Sequence, residues 1–65
     1  MRCYFMQRNE IWAVEFLKST DSRLAVKRAM ALFIERYSEK SDGFEIWDGD
    51  HCIFHYQSAE YRAIQ

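Results

Sequence analysis

Two largely apolar runs, "RCYFMQ" (2–7) and "IWAVEFL" (11–17), are separated by the polar interval "RNE". Their richness in aromatic and β-branched residues predicts two strands joined as a hairpin. A tight turn at Arg8 and Asn9, where Asn tolerates the left-handed conformation, would pair Arg2 with Glu15. Cys3, Phe5, Trp12, Val14 and Phe16 would then share one wholly apolar face, the expected core face. Arg2, Tyr4, Met6, Ile11, Ala13 and Glu15 would share the other, with its apolar members in the middle.

The period changes after "STDS", which offers several N-cap residues ahead of "RLAVKRAMALFIERYSEK". Ala25, Val26, Ala29, Met30, Phe33 and Tyr37 recur at helical spacing, and Arg23, Lys27, Arg28, Glu35 and Glu39 lie away from that stripe. Gly43 is expected to stop the helix. Leu24, Ala31 and Ile34 fall outside the stripe, as scattered surface apolars or as part of a contact with another chain.

"FEIW" and "HCIFHY" then alternate on either side of "DGD", and Asp-Gly between such runs signals a second hairpin. A two-residue turn would set Phe44 and Ile46 with His51, Ile53 and His55. A three-residue loop would set them with Cys52, Phe54 and Tyr56. The three-residue loop is preferred, because it gathers apolar side chains under the helix and leaves Glu45, Trp47, His51, Ile53 and His55 outside. The order is ββαββ: an α+β fold with one helix packed on one face of a small, mainly antiparallel four-stranded sheet. Residues 1–56 form the single domain, and 57–65 are a C-terminal tail that forms a short helix only if it docks.

The segments "RCYFM", "AVEFL" and "GFEIWDGD" resemble parts of short uncharacterised bacterial proteins in which a hairpin, a helix and a second hairpin fill the whole chain. The resemblance spans residues 1 to 56 and implies the same architecture. It implies no activity and no functional residues.

Composition narrows the function. The chain of 65 residues is 49% hydrophobic and carries five Phe, two Trp and four Tyr, enough large side chains to fill a small core without a disulfide or a metal. Nine Lys and Arg stand against ten Asp and Glu, for a net charge of -1, so binding driven by counterion release from nucleic acid is disfavoured. No apolar run approaches ~18 residues, and "MRCYFMQRNE" is too short and too polar for a signal peptide, so a cytoplasmic protein with no membrane contact is expected. Cys3 and Cys52 are expected to be free, structural thiols.

"DGDHCIFHY" (48–56) is the one stretch with the residue types of a metal site. On a strand, however, His51 and His55 stand roughly 13 Å apart, too far to share an ion, so no metal is expected. Asp42, Asp48 and Asp50 lack the spacing of a calcium loop and are expected in turns. With no Gly-rich phosphate loop, nucleophile elbow or paired carboxylates, no enzyme activity, catalytic residue or cofactor is expected.

One helix covers one face of a sheet, which leaves the other to explain. Tyr4, Met6, Ile11 and Ala13, joined by Trp47 and Ile53, would make an apolar centre rimmed by Arg2, Glu15 and Glu45. Such a patch marks an interface. The expected function is therefore a non-enzymatic module that forms a homodimer or higher homo-oligomer, or binds a protein partner, through this face. Two alternatives stand beside it: a single-stranded nucleic-acid binder stacking bases on Tyr4, Trp47 and the histidines, and an enzyme or ligand carrier whose site forms between subunits. Tyr61 and Ile64 of the tail offer a different cover for the same face.

Overall fold

The computed structural model describes residues 1–58. Two hairpins flank one helix: β1 (Arg2–Gln7) and β2 (Glu10–Phe16), then α1 (Ser22–Leu32), then β3 (Gly43–Asp48) and β4 (His51–Gln57). All four strands are antiparallel neighbours in one sheet of order β2-β1-β3-β4. The ββαββ, α+β reading is therefore right. The strand order puts β1 and β3 at the centre, so Cys3, Phe5, Phe44 and Ile46 have neighbours on both sides and the helix above, and are fully buried.

The first turn is a primed one, with positive φ at both Arg8 (53°) and Asn9 (68°), the twist that suits a two-residue hairpin. The expected pairing fails beyond it. Gln7 faces Glu10 and Met6 faces Ile11, but Phe5 faces Ala13, so Trp12 is an extra residue on β2 and Arg2 meets Phe16 instead of Glu15. This β-bulge reverses the alternation of the rest of the strand. Ala13 and Glu15 now lie on the helix side with Phe5 and Cys3, whereas Val14 and Phe16 turn away from the core. The helix position explains why: α1 packs on the central strand β3, and the helix side of β2 is met by Tyr37, which follows α1. Small Ala13 leaves room for Tyr37 to stack on Phe5 at a centroid distance of 4.1 Å, with Trp12 edge-on to the same Tyr37 ring at 6.0 Å.

The second hairpin repeats the device. Its turn is the two-residue one, Gly49 (φ 62°) and Asp50, so the preferred three-residue loop is corrected. Trp47 then pairs with Cys52 and Ile46 with Phe54, making Ile53 the extra residue. The bulge does what the longer loop was meant to do: Phe44 and Ile46 line up with Tyr56 and Phe54 under the helix. Cys52 moves to the far side, while Ile53 turns toward the N-terminal end of α1.

The helix begins at Asp21, whose carboxylate accepts the Arg23 N–H at 2.8 Å. Ala25, Ala29 and Phe33 are buried and Val26, Met30 and Tyr37 half-buried, as the spacing predicts; Leu32 joins them. Leu24 and Ile34 are exposed. After Leu32 the backbone widens into a π-helical stretch, Phe33–Tyr37, and ends there, with Lys40 and Ser41 both donating to the Tyr37 carbonyl. Gly43 is not the helix stop. It opens β3, where a Cβ would overlap the carbonyl oxygen of Tyr56 on β4, so glycine is required by close approach.

Ser41 and Asp42 fasten the two halves together. The Asp42 N–H donates to the Met6 carbonyl at 2.9 Å, and the Asp42 carboxylate accepts the Arg8 N–H of the first turn, also at 2.9 Å. The Ser41 hydroxyl lies 2.7 Å from the same Met6 carbonyl. Asp42 is thus a buried fastener as well as a turn residue. Gln57 belongs to β4 instead of to a tail, and the proposed tail helix lies outside the described residues, apart from Ser58, which donates to the Asp42 carbonyl at 2.7 Å.

Candidate functional site

The face turned away from the helix can be written as three rows across the strands. Phe16, Arg2, Trp47 and Cys52 form the first; Val14, Tyr4, Glu45 and His55 the second; Ile11, Met6, Gly43 and Gln57 the third. Of the six apolar residues expected here, Tyr4, Met6, Ile11 and Trp47 are together on this face. Ala13 and Ile53 are not: each bulge carried its residue to the helix side. Val14 and Phe16, expected in the core, take their place.

Exposure on this face is uneven. Phe16 is 74% exposed, Ile11 58% and Val14 45%, all on the edge strand β2, and Trp12 on the other side of that strand is 44% exposed. Tyr4, Met6 and Trp47, nearer the middle, are half-buried by one another. Trp47 meets Tyr4 edge-on at 6.4 Å and donates its indole N–H to Glu45 Oε1 at 3.1 Å. The Arg2 guanidinium lies 5.6 Å from the centroid of the Phe16 ring. The apolar surface is thus a stripe along one edge, not a disc at the centre, and the sequence pattern could not show this without the bulge.

No protein-family model matches the chain, and no curated relative or solved structure does. Function must be argued from the geometry.

The stretch with metal-ligand residue types, Asp48–Tyr56, is split between the two faces of the sheet. The bulge at Ile53 separates His51, opposite Asp48 beside the turn, from His55 on the open face, and no group of three potential ligands occurs among the described residues. His51 Nδ1 lies 2.6 Å from Asp50 Oδ1, a contact between two well-exposed side chains.

Chemistry on the helix side centres on Glu15, which sequence reasoning had placed on the rim of the open face. Tyr37 donates its hydroxyl to Glu15 Oε2 at 2.6 Å, and Arg36 lies 3.9 Å from the same oxygen. The hydrogen bond to Glu15, then burial, raises the Tyr37 pKa above its ordinary value. Burial, aided by the charge of Glu15, pushes the Cys3 thiol up to about 12. A protonated, enclosed thiol is no nucleophile. This cluster ties the edge strand to the segment after the helix.

A shallow groove of about 380 Å³ runs between α1 and β4, floored by Val26, Ile53 and Phe54 and rimmed by Arg23 and Lys27. Ser22 completes its lining.

Proposed function

We propose that the chain is a small non-enzymatic cytoplasmic module that self-associates through the apolar stripe that β2 exposes at the edge of the sheet face turned away from its helix. One observation carries the reading: Ile11, Val14 and Phe16 stand in line along β2, each about half exposed or more, on a face that no described residue covers. A line of large apolar side chains in water is costly, and a contact that removes it from water gains roughly 25 cal/mol per Å². The same chain is the simplest occupant, because a two-fold contact uses one patch twice.

Binding of single-stranded nucleic acid is less well supported. Trp47 and Tyr4 already pack against each other, Glu45 sits between them and His55, and the basic residues Arg23, Lys27 and Arg28 belong to the helix. The free, exposed thiol of Cys52 fits a reducing compartment, and no helix among the described residues is long and apolar enough to cross a membrane.

Sedimentation equilibrium over a wide concentration range tests the reading. A dimer or larger assembly at micromolar concentration is expected, and Phe16→Lys should dissociate it while leaving the helix and sheet signals of circular dichroism in place. A wild-type chain that stays monomeric throughout would sink it.

A further inference from the structure

Resting on that self-association reading, we infer that the contact runs along the outer edge of β2, which no described strand pairs, where two copies pair their β2 strands antiparallel about a two-fold axis and join their sheets into one. The backbone fixes which residues face that edge. Leu17 donates its N–H to the Met1 carbonyl at 2.8 Å, and the Met1 ammonium donates to the Leu17 carbonyl at 3.2 Å, so this pair exchanges its hydrogen bonds with the β1 side. Antiparallel ladders alternate such pairs with pairs whose N–H and C=O groups point outward. Glu15 and Ala13 therefore bond inward, and Val14 and Phe16 offer their donors and acceptors to the free edge. Ile11, opposite Met6 beyond the bulge, does the same.

The residues whose backbone is open are thus the residues whose apolar side chains are exposed. Strand pairing answers both at once. The usual protections of an edge, charges and proline, are missing from Ala13–Phe16 apart from Glu15, which is engaged by Tyr37. The opposite edge differs: the exposed residues of β4 include His51, Cys52, His55 and Gln57, and a β2-to-β4 contact would extend without closing.

Register follows from the bulge. Centring the two-fold on Val14 would bring Phe16 against the bulged Trp12 of the partner subunit and break the ladder. Centring it on Glu15 keeps Ala13–Leu17 regular and sets Val14 beside Phe16 of the partner subunit, twice, on the open face. The two Glu15 carboxylates then face each other on the helix side, a like-charge contact that costs stability and that Arg36 beside each one offsets in part. Five paired residues and the flanks of four apolar side chains bury on the order of 500 Å² per copy, about 1,000 Å² in the pair, the lower bound for a specific interface and suited to micromolar association.

Val14→Pro separates this edge contact from a stacked one. The Val14 N–H points away from β1 and bonds to no described residue, so proline removes an outward donor and blocks an incoming strand. Light scattering across a dilution series is expected to show the wild type dimerising, Val14→Pro weakened about tenfold or more, and Trp47→Lys changed by less than about threefold. Dissociation by Trp47→Lys with Val14→Pro unaffected would overturn the edge contact and keep self-association. A wild type that remains monomeric would overturn self-association itself. Should Val14→Pro not fold, amide hydrogen exchange of the wild type decides: protection of the Val14 and Phe16 amides must rise with concentration, and unchanged exchange in a dimer overturns the inference.

Discussion

Tyr37 donates a 2.6 Å hydrogen bond to Glu15, and the bond holds the edge strand β2 to the segment that follows the helix. It joins residues 22 positions apart and fixes which face of β2 meets the core. Tyr37→Phe keeps the stack on Phe5 and loses the bond. Because Glu15 is partly exposed and can return to water, the cost should be about 1 kcal/mol, read as a shift of the urea midpoint. A cost indistinguishable from zero would mean that the bond does not hold the strand.

Alkali should unfold the protein through Cys3. Its pKa rises from 9.0 to about 12 on folding, so the protonated thiol favours the folded state. That contribution is complete below pH 9 and is lost as pH rises from there through about 12. Tyr37, also raised, adds to the loss in the same direction. Cys3→Ala should be less stable at neutral pH and should show a flatter decline above pH 9. At pH 8 a thiol reagent should label Cys52 alone in the folded chain, and equal labelling of Cys3 would contradict its burial.

Much of the fold was legible because the period of the hydrophobic pattern is local: two strands, a helix with its buried stripe, two strands. The faces of β2 and β4 were not legible, because a single extra residue reverses every side chain beyond it. Trp12 and Ile53 look like ordinary members of alternating runs, and what makes them bulges lies far off in sequence. For Trp12 it is Tyr37, which takes the space over Phe5. For Ile53 it is the pairing of Phe44 and Ile46 with Tyr56 and Phe54. The same displacement moved Ala13 and Ile53 out of the candidate surface and Val14 and Phe16 into it, so three of these four changes came from the first hairpin and one from the second.

Phe33→Ala should cost far more than Ile34→Ala. Phe33 is buried, 5.9 Å from the Phe44 ring and 5.6 Å from Tyr56, while its neighbour in sequence is exposed. Truncating the first should cost ~3–5 kcal/mol and the second within ~0.5. Comparable losses in denaturant titrations would place Ile34 in an interface.

The two glycines should respond in opposite proportion to their φ angles. Gly49 has the left-handed φ of 62° but open space around it, so Gly49→Ala costs only backbone strain, about 1 kcal/mol. Gly43 needs no unusual φ, yet a methyl there meets the Tyr56 carbonyl, and neither strand can retreat without opening the β3–β4 ladder. Gly43→Ala should cost ~3 kcal/mol or more, at the upper end for overpacking. A smaller loss at Gly43 than at Gly49 would show that the two strands can separate locally.

Deleting residues at the first bulge tests whether the core or the turn sets the faces of β2. Without Trp12 the chain can pair regularly, Met6 with Ile11 and Phe5 with Ala13, and every residue from Ala13 to Phe16 keeps its present face. Only the edge contact of Trp12 with Tyr37 and its approach to Lys40 are lost, about 1 kcal/mol. Deleting Ala13 instead preserves the same count of residues but forces Trp12 opposite Phe5, into the space that Tyr37 fills. Overpacking there displaces the Phe5–Tyr37 stack and with it the hydrogen bond to Glu15, for a loss of ~3 kcal/mol or more. The deletion of Trp12 should therefore be clearly the milder of the two by urea denaturation. If the order were reversed, the core would accept an indole over Phe5, and the small side chain of Ala13 would not be what selects the bulge.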